Sequence, residues 1–598
     1  MRILRYDGLI LSLVLFIVLT GSTKTLAHSE DGRIVLCRYP MSSAVEVSTA
    51  TAIGVTLNEV FSQGIASFAV SGSHSGLHKG SVKYSVDRST IIFKPETSFD
   101  LNEHIQVTLT ATTGDGGPVL DTFSFQTVRT MIDPRLAVLT DDPVTSGIGS
   151  STHHKPTPNA PLDGWSGLVN IFNSNPTPGK VFFSLSAGPL SGLIILDELG
   201  GLITLAPITG TDFLLQPNGE MTYFDGIGTD YGLDSSLNVV DSFTCTNGYA
   251  SDAHELIVQK DGGYTILGVT LTDADLSKEP GGSSNAIVQG NVIQTFDSGR
   301  NLVFEWRGID HYDPTDALDI NFTVQPVDFE HANSIDIDSA GNYLLSNRHL
   351  SEVTKINGHR GDMIWRFGGT HNEFTSVNDT LGISYQHCAR FLPNDHILLF
   401  DNGNLHAVPQ SRAVEFSIDT IARKDSLVWQ YRHDPPISST ACGSVQRLPN
   451  GNTFIGWGIQ IGGPLLPTEA STEVQPNGTV VSDWSFGSMA FSYRAMKYYT
   501  PQVSANVSTR ITPSTNLQLT ATQSSDGYVV SFSMDRPSQA SISLYNMMGS
   551  KVATLFDGMG STLLQSISIL SNSLPSGTYF VVLSTLEGKV VRPIVIFR

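Results

Sequence analysis

The 598-residue chain reads as all-β: a β-sandwich, then a β-propeller, then a second small β-sandwich. Three observations predict this. Charged residues are only 15% while Gly (55) and Pro (29) are plentiful, and short alternating runs are punctuated by Gly, Pro and Asn turns. No long stretch carries helical periodicity. The middle of the chain repeats one unit, a tight turn between two apolar strands. The length itself exceeds what one core can organise.

The N-terminus, MRILRYDGLILSLVLFIVLTGSTKTLA (1–27), has the form of a secretory signal. Arg2 and Arg5 precede an apolar run from Leu9 to Leu19, and small residues lie near Ala27. That run is shorter than the ~20 residues a membrane span needs, which disfavours a permanent anchor. The expectation is export to the cell surface or medium. A net charge of -21 argues against a nucleic-acid partner, which would want a basic face. Four cysteines (Cys37, Cys245, Cys388, Cys442) with no CxxC pair are neither a disulfide scaffold nor a zinc site, although one bridge is compatible with an oxidising compartment.

Residues 34–128 alternate steadily, as in IGVTLNEVFSQGIASFAVSGSHSG and DTFSFQTVRT, and predict a β-sandwich. With FKPE near the middle and VTLTATT late, the segment resembles a bacterial Ig-like module. It holds no cluster of acids, bases or ligands and reads as structural or adhesive. Residues 129–160, rich in Pro, Ser, Thr and Gly, read as a linker.

Residues 160–502 carry the repeat. Turns recur in LLQPNGEMTYF, IVQKDGGYTILG, IDSAGNYLLSN, FLPNDHILLF, RLPNGNTFIGW and VQPNGTVVSDW. A second recurring strand ends in Trp306, Trp365, Trp429 and Trp484, roughly every 55–65 residues, near the upper end of blade periods. Two hairpins per unit are the content of a propeller blade; an irregular sandwich or β-helix is the alternative. After a polar linker (503–520), residues 521–598 change character. LYNMMG, LPSGTYFVVL and EGKVVRPIVI resemble the C-terminal sorting domain of type IX secretion, with Lys589 fitting the usual tail and Pro593 departing from it. That resemblance implies the type IX machinery as a partner; another adhesive sandwich is the alternative.

Three of the 16 histidines occupy equivalent places before a repeated hairpin: His254, His331 and His387. Inner strands of a propeller converge on its axis, so these three should ring one mouth. Arg348, at the outgoing end of the hairpin that begins after His331, should join them. Three histidines alone suit zinc or iron, but a fixed guanidinium repels a cation. With few acids nearby, the set suits transfer of an anionic group: Arg forks onto its oxygens, a neutral His attacks, and a protonated His serves the leaving oxygen. No Walker-type loop indicates a nucleotide donor, and no G-x-S-x-G elbow indicates a serine hydrolase.

DAHELIVQKDGGYTIL, DFEHANSIDIDSAGNYLLSNRHLSEVTKINGHRGDMIWRFGG, QHCARFLPNDHILLFDNG and RLPNGNTFIGWG resemble the bacterial arylsulfate sulfotransferases over roughly 160–500. The resemblance implies a six-bladed propeller that moves a sulfuryl group from a phenolic sulfate ester to an acceptor phenol, without nucleotide donor, cofactor or metal. It implies His387 as the residue that becomes sulfohistidine, His254 and His331 as further catalytic histidines, and Arg348 as the catalytic arginine. Either His254 or His331 would be the proton donor, and Asn333 is a further ligand for sulfate oxygen. The Ig-like module and the sorting segment depart from the family's usual setting and leave the natural donor and acceptor open, as the sequence leaves the oligomeric state. A sulfate-ester hydrolase and a non-catalytic binding propeller are the other readings of the same residues.

Overall fold

The computed structural model describes residues 35–132, 168–498 and 518–596, apart from 63, 65, 187–190, 461–467, 488–489 and short stretches between 525 and 587. The segment 1–27 expected to be a secretory signal, most of the expected linker 129–160 and residues 503–517 of the second lie outside the described residues. Apart from two single-turn 3₁₀ segments, regular structure in the described residues is all strand.

Alternation in the first segment produces two four-stranded sheets. One contains Val35–Tyr39, Ile53–Leu57, Thr90–Pro95 and Gly80–Tyr84; the other contains Gly76–His78, Ser67–Gly72, His104–Thr112 and Pro118–Gln126. In His104–Thr112 every second residue is buried, so Ile105, Val107, Leu109 and Ala111 face a core shared with Val55, Ile91 and Phe123. This sandwich is anchored to the central segment of the chain. Tyr39 Oη donates to Leu302 O (2.5 Å), and Arg307 donates to the carbonyls of Glu46 (2.7 Å) and Val45 (2.6 Å). Tyr39, Ala52 and Ile92 pack with Phe243, Leu256, Tyr264 and Phe296 of that segment.

Between 168 and 498 the described strands form six sheets of four or five strands, antiparallel except for the short parallel strands Val327–Asp328 and Thr375–Ser376, and one two-stranded ribbon. Each sheet begins with an inner strand, labelled here in chain order: β1 (Thr211–Leu215), β2 (Ala250–Val258), β3 (Ala332–Ile337), β4 (His387–Leu392), β5 (Ser444–Arg447) and β6 (Phe491–Tyr498). Each inner strand approaches the next, from β1 through β2, β3, β4, β5 and β6, and β6 returns to β1. The sheet that starts with β6 is completed by Lys180–Ser186, Gly192–Leu196 and Leu202–Ala206, while Leu168–Asn173 closes the outer edge of the β5 sheet. Early and late parts of the chain therefore share two sheets.

The repeat explains the packing. Gly219, Gly262, Gly341, Gly451 and Gly478 occupy the hairpin turns at φ 93°, 88°, 80°, 89° and 86°, a region open to glycine at no steric cost. In FLPNDHILLF, Asn394 (φ 65°) and Asp395 (φ 59°) do the same work. The repeated tryptophans lie on the fourth strand of four successive sheets. Trp306 Nε1 donates to Gly361 O (3.0 Å) and Trp429 Nε1 to Pro476 O (3.1 Å), each reaching the next sheet along the chain. Apolar clusters fill the spaces between neighbouring sheets, such as Leu267, Ile293 and Trp306 against Ile335, Tyr343 and Leu345.

The last segment pairs a three-stranded sheet (Gln518–Ser524, Gly527–Ser533, Gln565–Leu570) with a four-stranded one (Lys551–Gly560, Ser538–Asn546, Gly577–Thr585, Gly588–Ile596). Its core, including Leu519, Phe532, Ile542, Val581 and Ile594, is made within the segment. Met547, Met548 and Gly549 of LYNMMG lie outside the described residues.

Candidate functional site

The hairpin 332–347 forms in the register its alternation predicts, with Ile335 opposite Leu345 and Ile337 opposite Tyr343. Its open end brings Arg348 N to His331 O at 3.0 Å. Each of the three histidines sits at or beside an irregularity in its inner strand. Pairing shifts between Ser251 and Leu256 around His254, between Ala332 and Ser334 after His331, and between His387 and Arg390. Bulges of this kind re-aim side chains that regular alternation would send into the sheet interfaces. His331 (φ 51°) and Cys388 (φ 54°) also adopt left-handed backbone, a conformation that non-glycine residues hold only when the surroundings impose it.

The result is one buried cluster. His254, His331 and His387 are 2%, 3% and 1% exposed and Arg348 is 8% exposed. The rings of His254 and His331 are 5.1 Å apart, and that of Tyr493 is 5.5 Å from His254. Arg348 lies with its guanidinium carbon 4.4 Å from the Tyr385 ring and donates from Nη2 to Thr440 O (3.2 Å). Its Nε has no hydrogen-bond partner among the described residues. Two residues beyond Thr440, Cys442 N–H donates to His387 Nε2 (3.2 Å), so Arg348 and His387 lean on the same short segment.

What stands behind each imidazole differs. Asn402 Nδ2 donates to Ser439 O (3.1 Å) and Cys442 O (3.0 Å), which turns its Oδ1 toward His387 Nδ1 at 2.8 Å. Nδ1 therefore carries the proton and Nε2 carries the lone pair. Burial, and then the Arg348 charge, hold His387 well below the usual histidine range, so it is neutral at pH 7. His254 and His331 are backed by carboxylates instead: Asp252 lies against His254 Nδ1, and Asp328 Oδ2 is 2.6 Å from His331 Nδ1. Burial raises Asp328 to about 6.

Sequence reasoning expected few acids here, and the structure corrects it. Asp252 and Asp328 were legible only as acids two and three residues before a histidine. His349 was also missed. Its Nδ1 donates to Asp328 O (2.6 Å) and its Nε2 accepts from Arg348 Nη1 (2.7 Å). Burial depresses it to about 3. Asp328, His331 and His349 bring three possible metal ligands together. Both ring nitrogens of His349 are occupied and a guanidinium adjoins it, so this trio fits an anion site better than a cation site. Asn333 is fully buried, and its Nδ2 donates to Gln386 O (2.7 Å) while its own carbonyl accepts from Arg494 (2.9 Å) and Tyr493 (3.1 Å). None of the four cysteines is disulfide-bonded, so the possible bridge does not form. Cys388 is fully buried.

Beside the cluster lies a buried charge network. Arg494 on β6 bonds Asp212 of β1 (2.8 Å) and both oxygens of Glu255 on β2 (3.0 and 2.9 Å), and Arg390 on β4 also reaches Glu255 (2.8 Å). With the Asn333 carbonyl, this ties together inner strands of five sheets.

Two family models match parts of the chain. The family model described as Arylsulfotransferase (ASST) matches residues 226–463, which include His254, His331, Arg348 and His387. This supports an arylsulfotransferase-type function in general. The model for the bacterial Ig-like domain matches 34–127. No curated protein matches the chain. Among solved structures, a Bacteroides caccae protein of unknown function shares 11% identity over 54% of this chain and all of its own, with a TM-score of 0.34. A streptogramin B lyase shares 11% over 69% of this chain and 98% of its own (TM-score 0.26), and CopC from Methylosinus trichosporium shares 10% over 16% of this chain and 93% of its own (TM-score 0.15).

Proposed function

We propose that residues 168–498 close into a six-bladed propeller that transfers a sulfuryl group from a phenolic sulfate ester to an acceptor phenol through a sulfohistidine on His387. The ring of contacts from β1 to β6 supports the closed propeller. The observation that carries the chemistry is the fixed tautomer of His387, with Nδ1–H held on Asn402 and the Nε2 lone pair kept unprotonated as the acceptor of the Cys442 N–H, a 3.2 Å contact that gives way when Nε2 attacks.

In the first half-reaction Nε2 of His387 attacks sulfur, the N–S bond forms and the S–O bond to the aryl group breaks. The departing phenolate oxygen takes a proton from His254 or His331, each stabilised as imidazolium by its aspartate. Arg348 holds the sulfuryl oxygens throughout. In the second half-reaction the same imidazole removes the acceptor's proton, the phenol oxygen attacks sulfur and the N–S bond breaks. His349 keeps Arg348 oriented, and Asn402 stabilises the positive charge that His387 gains on sulfation. Asn333 positions the β4 lead-in through Gln386. The scheme uses no cofactor. Residues 1–27 and 521–598 would direct export by the type IX route and release to the cell surface or medium.

The test measures release of a chromogenic phenol from its sulfate ester, with and without a second phenol, for wild type and His387→Ala. Acceptor-dependent release, a sulfated acceptor, and an SO₃ adduct on the His387 peptide that the variant lacks are expected. Release independent of acceptor would make the protein a hydrolase. A folded protein inert toward every aryl sulfate tried would leave a binding propeller.

A further inference from the structure

His433 lies on the loop between the β4 and β5 sheets, outside the cluster described above. Its Nδ1 is 2.8 Å from Pro435 O, and a carbonyl only accepts, so Nδ1 carries the proton. Nε2 then lies 3.3 Å from Asp483 Oδ2, a pair that needs a shared positive charge, a second proton or a cation. Glu469 lies on the neighbouring strand Thr468–Val474, and its ligand atom is within 4.8 Å of the other two. One oxygen of each acid is already held. Thr472 Oγ1 donates to Asp483 Oδ1 (2.7 Å), and Ser485 Oγ donates to Glu469 Oε2 (3.0 Å). One imidazole nitrogen and one oxygen from each carboxylate thus lie within 4.8 Å of one another. They repel one another unless a positive charge sits between them, either a second proton on His433 or a metal ion.

The geometry points to a divalent transition-metal site, Mn²⁺ or Zn²⁺ in class, formed by His433, Glu469 and Asp483. Ligand atoms about 2.1 Å from a common ion lie about 3.0–3.4 Å apart in octahedral or tetrahedral arrangements, and the His433–Asp483 separation falls in that interval. The backbone carbonyl behind Nδ1 and the hydroxyls behind each carboxylate are the outer partners that metal ligands generally have. The His433 side chain is 6% exposed and that of Asp483 28%, so the site is shielded on the imidazole side and open to water on the other. A nitrogen ligand argues against Mg²⁺ and Ca²⁺, which prefer oxygen alone.

The location gives the ion a task. The chain runs from His433 directly into Ser439–Ala441 and Cys442, whose backbone groups hold Asn402, Arg348 and His387 Nε2. A metal at His433 pins the start of that segment to the strands Thr468–Val474 and Val480–Phe486. It would act at a distance from the reacting atoms, by positioning.

The experiment uses the full chain, stripped with a chelator and titrated with MnCl₂ or ZnCl₂ by calorimetry, with melting followed in parallel. Wild type should bind one equivalent and melt at higher temperature when loaded. Asp483→Asn and Glu469→Gln should each bind at least about tenfold more weakly. X-ray absorption of the zinc-loaded wild type needs no variant and should count one imidazole among oxygen ligands. Two imidazoles, or binding lost in Asp328→Asn and kept in Asp483→Asn, would assign the ion to Asp328, His331 and His349 and overturn the proposal. So would a folded wild type that binds neither ion at millimolar concentration, leaving His433 as an imidazolium between two carboxylates.

Discussion

Nδ1 of His387 rests on an amide, whereas Nδ1 of His254 and of His331 rests on a carboxylate. An amide oxygen orients an imidazole without favouring its protonation; a carboxylate does both. Because the folded environment lowers the His387 pKa, its neutral form persists as pH falls through the range where free histidine protonates. The acid limb of the sulfation half-reaction should therefore lie below the ordinary histidine value of about 6.5. Asn402→Asp places an anion on Nδ1–H, raises that pKa and should move the limb upward by about one unit or more, read from single-turnover rates against pH. Weakening a proton donor through the aspartate behind it has a different signature. Asp252→Asn or Asp328→Asn should slow poor phenol leaving groups by about 10²–10⁴-fold and acidic phenols far less, measured across a series of aryl sulfates. Whichever aspartate shows the steeper dependence identifies its histidine as the donor.

At the scale of strands, the inner hairpins were readable from sequence because apolar alternation and a turn glycine fix register. Placing His331 and Arg348 at the open end of one hairpin needed nothing more. Asn402 and the Cys442 N–H were not readable. The first acts through two carbonyls of a neighbouring loop and the second is a backbone group, which no residue type announces. Asp252 and Asp328 were visible as letters, but their contact with the histidines depends on strand irregularities and a left-handed His331 that the letters do not encode. The network around Arg494 is likewise assembled from strands hundreds of residues apart. Arg494→Leu strands Asp212 without its guanidinium and takes one of two from Glu255, and should cost about 3–5 kcal/mol in urea unfolding. Burial already pushes the Asp212 carboxyl up, and losing the guanidinium pushes it further. Protonation relieves the stranded charge, so the loss should be smaller at pH 5 than at pH 8.

For the whole molecule, the two flanking sandwiches differ in how they are attached. The C-terminal one keeps its core to itself, whereas the N-terminal one shares an apolar interface and buried hydrogen bonds with the β2 sheet. Deleting 518–598 should leave the melting temperature of the remainder and its aryl sulfate turnover close to those of the full chain. Deleting 35–132 uncovers Phe243, Tyr264 and Phe296, and should lower the melting temperature and promote aggregation, measured by calorimetry and light scattering. The shared sheets have a consequence in time. A ribosome that has made residues 180–206 has made three strands of a sheet whose inner strand, Phe491–Tyr498, is still nearly three hundred residues away. Leu168–Asn173 waits as long for Val480–Phe486. The central domain thus cannot finish folding as it is synthesised; it stays incomplete until its last strand emerges, and any passage through a narrow translocation channel is easiest within that interval.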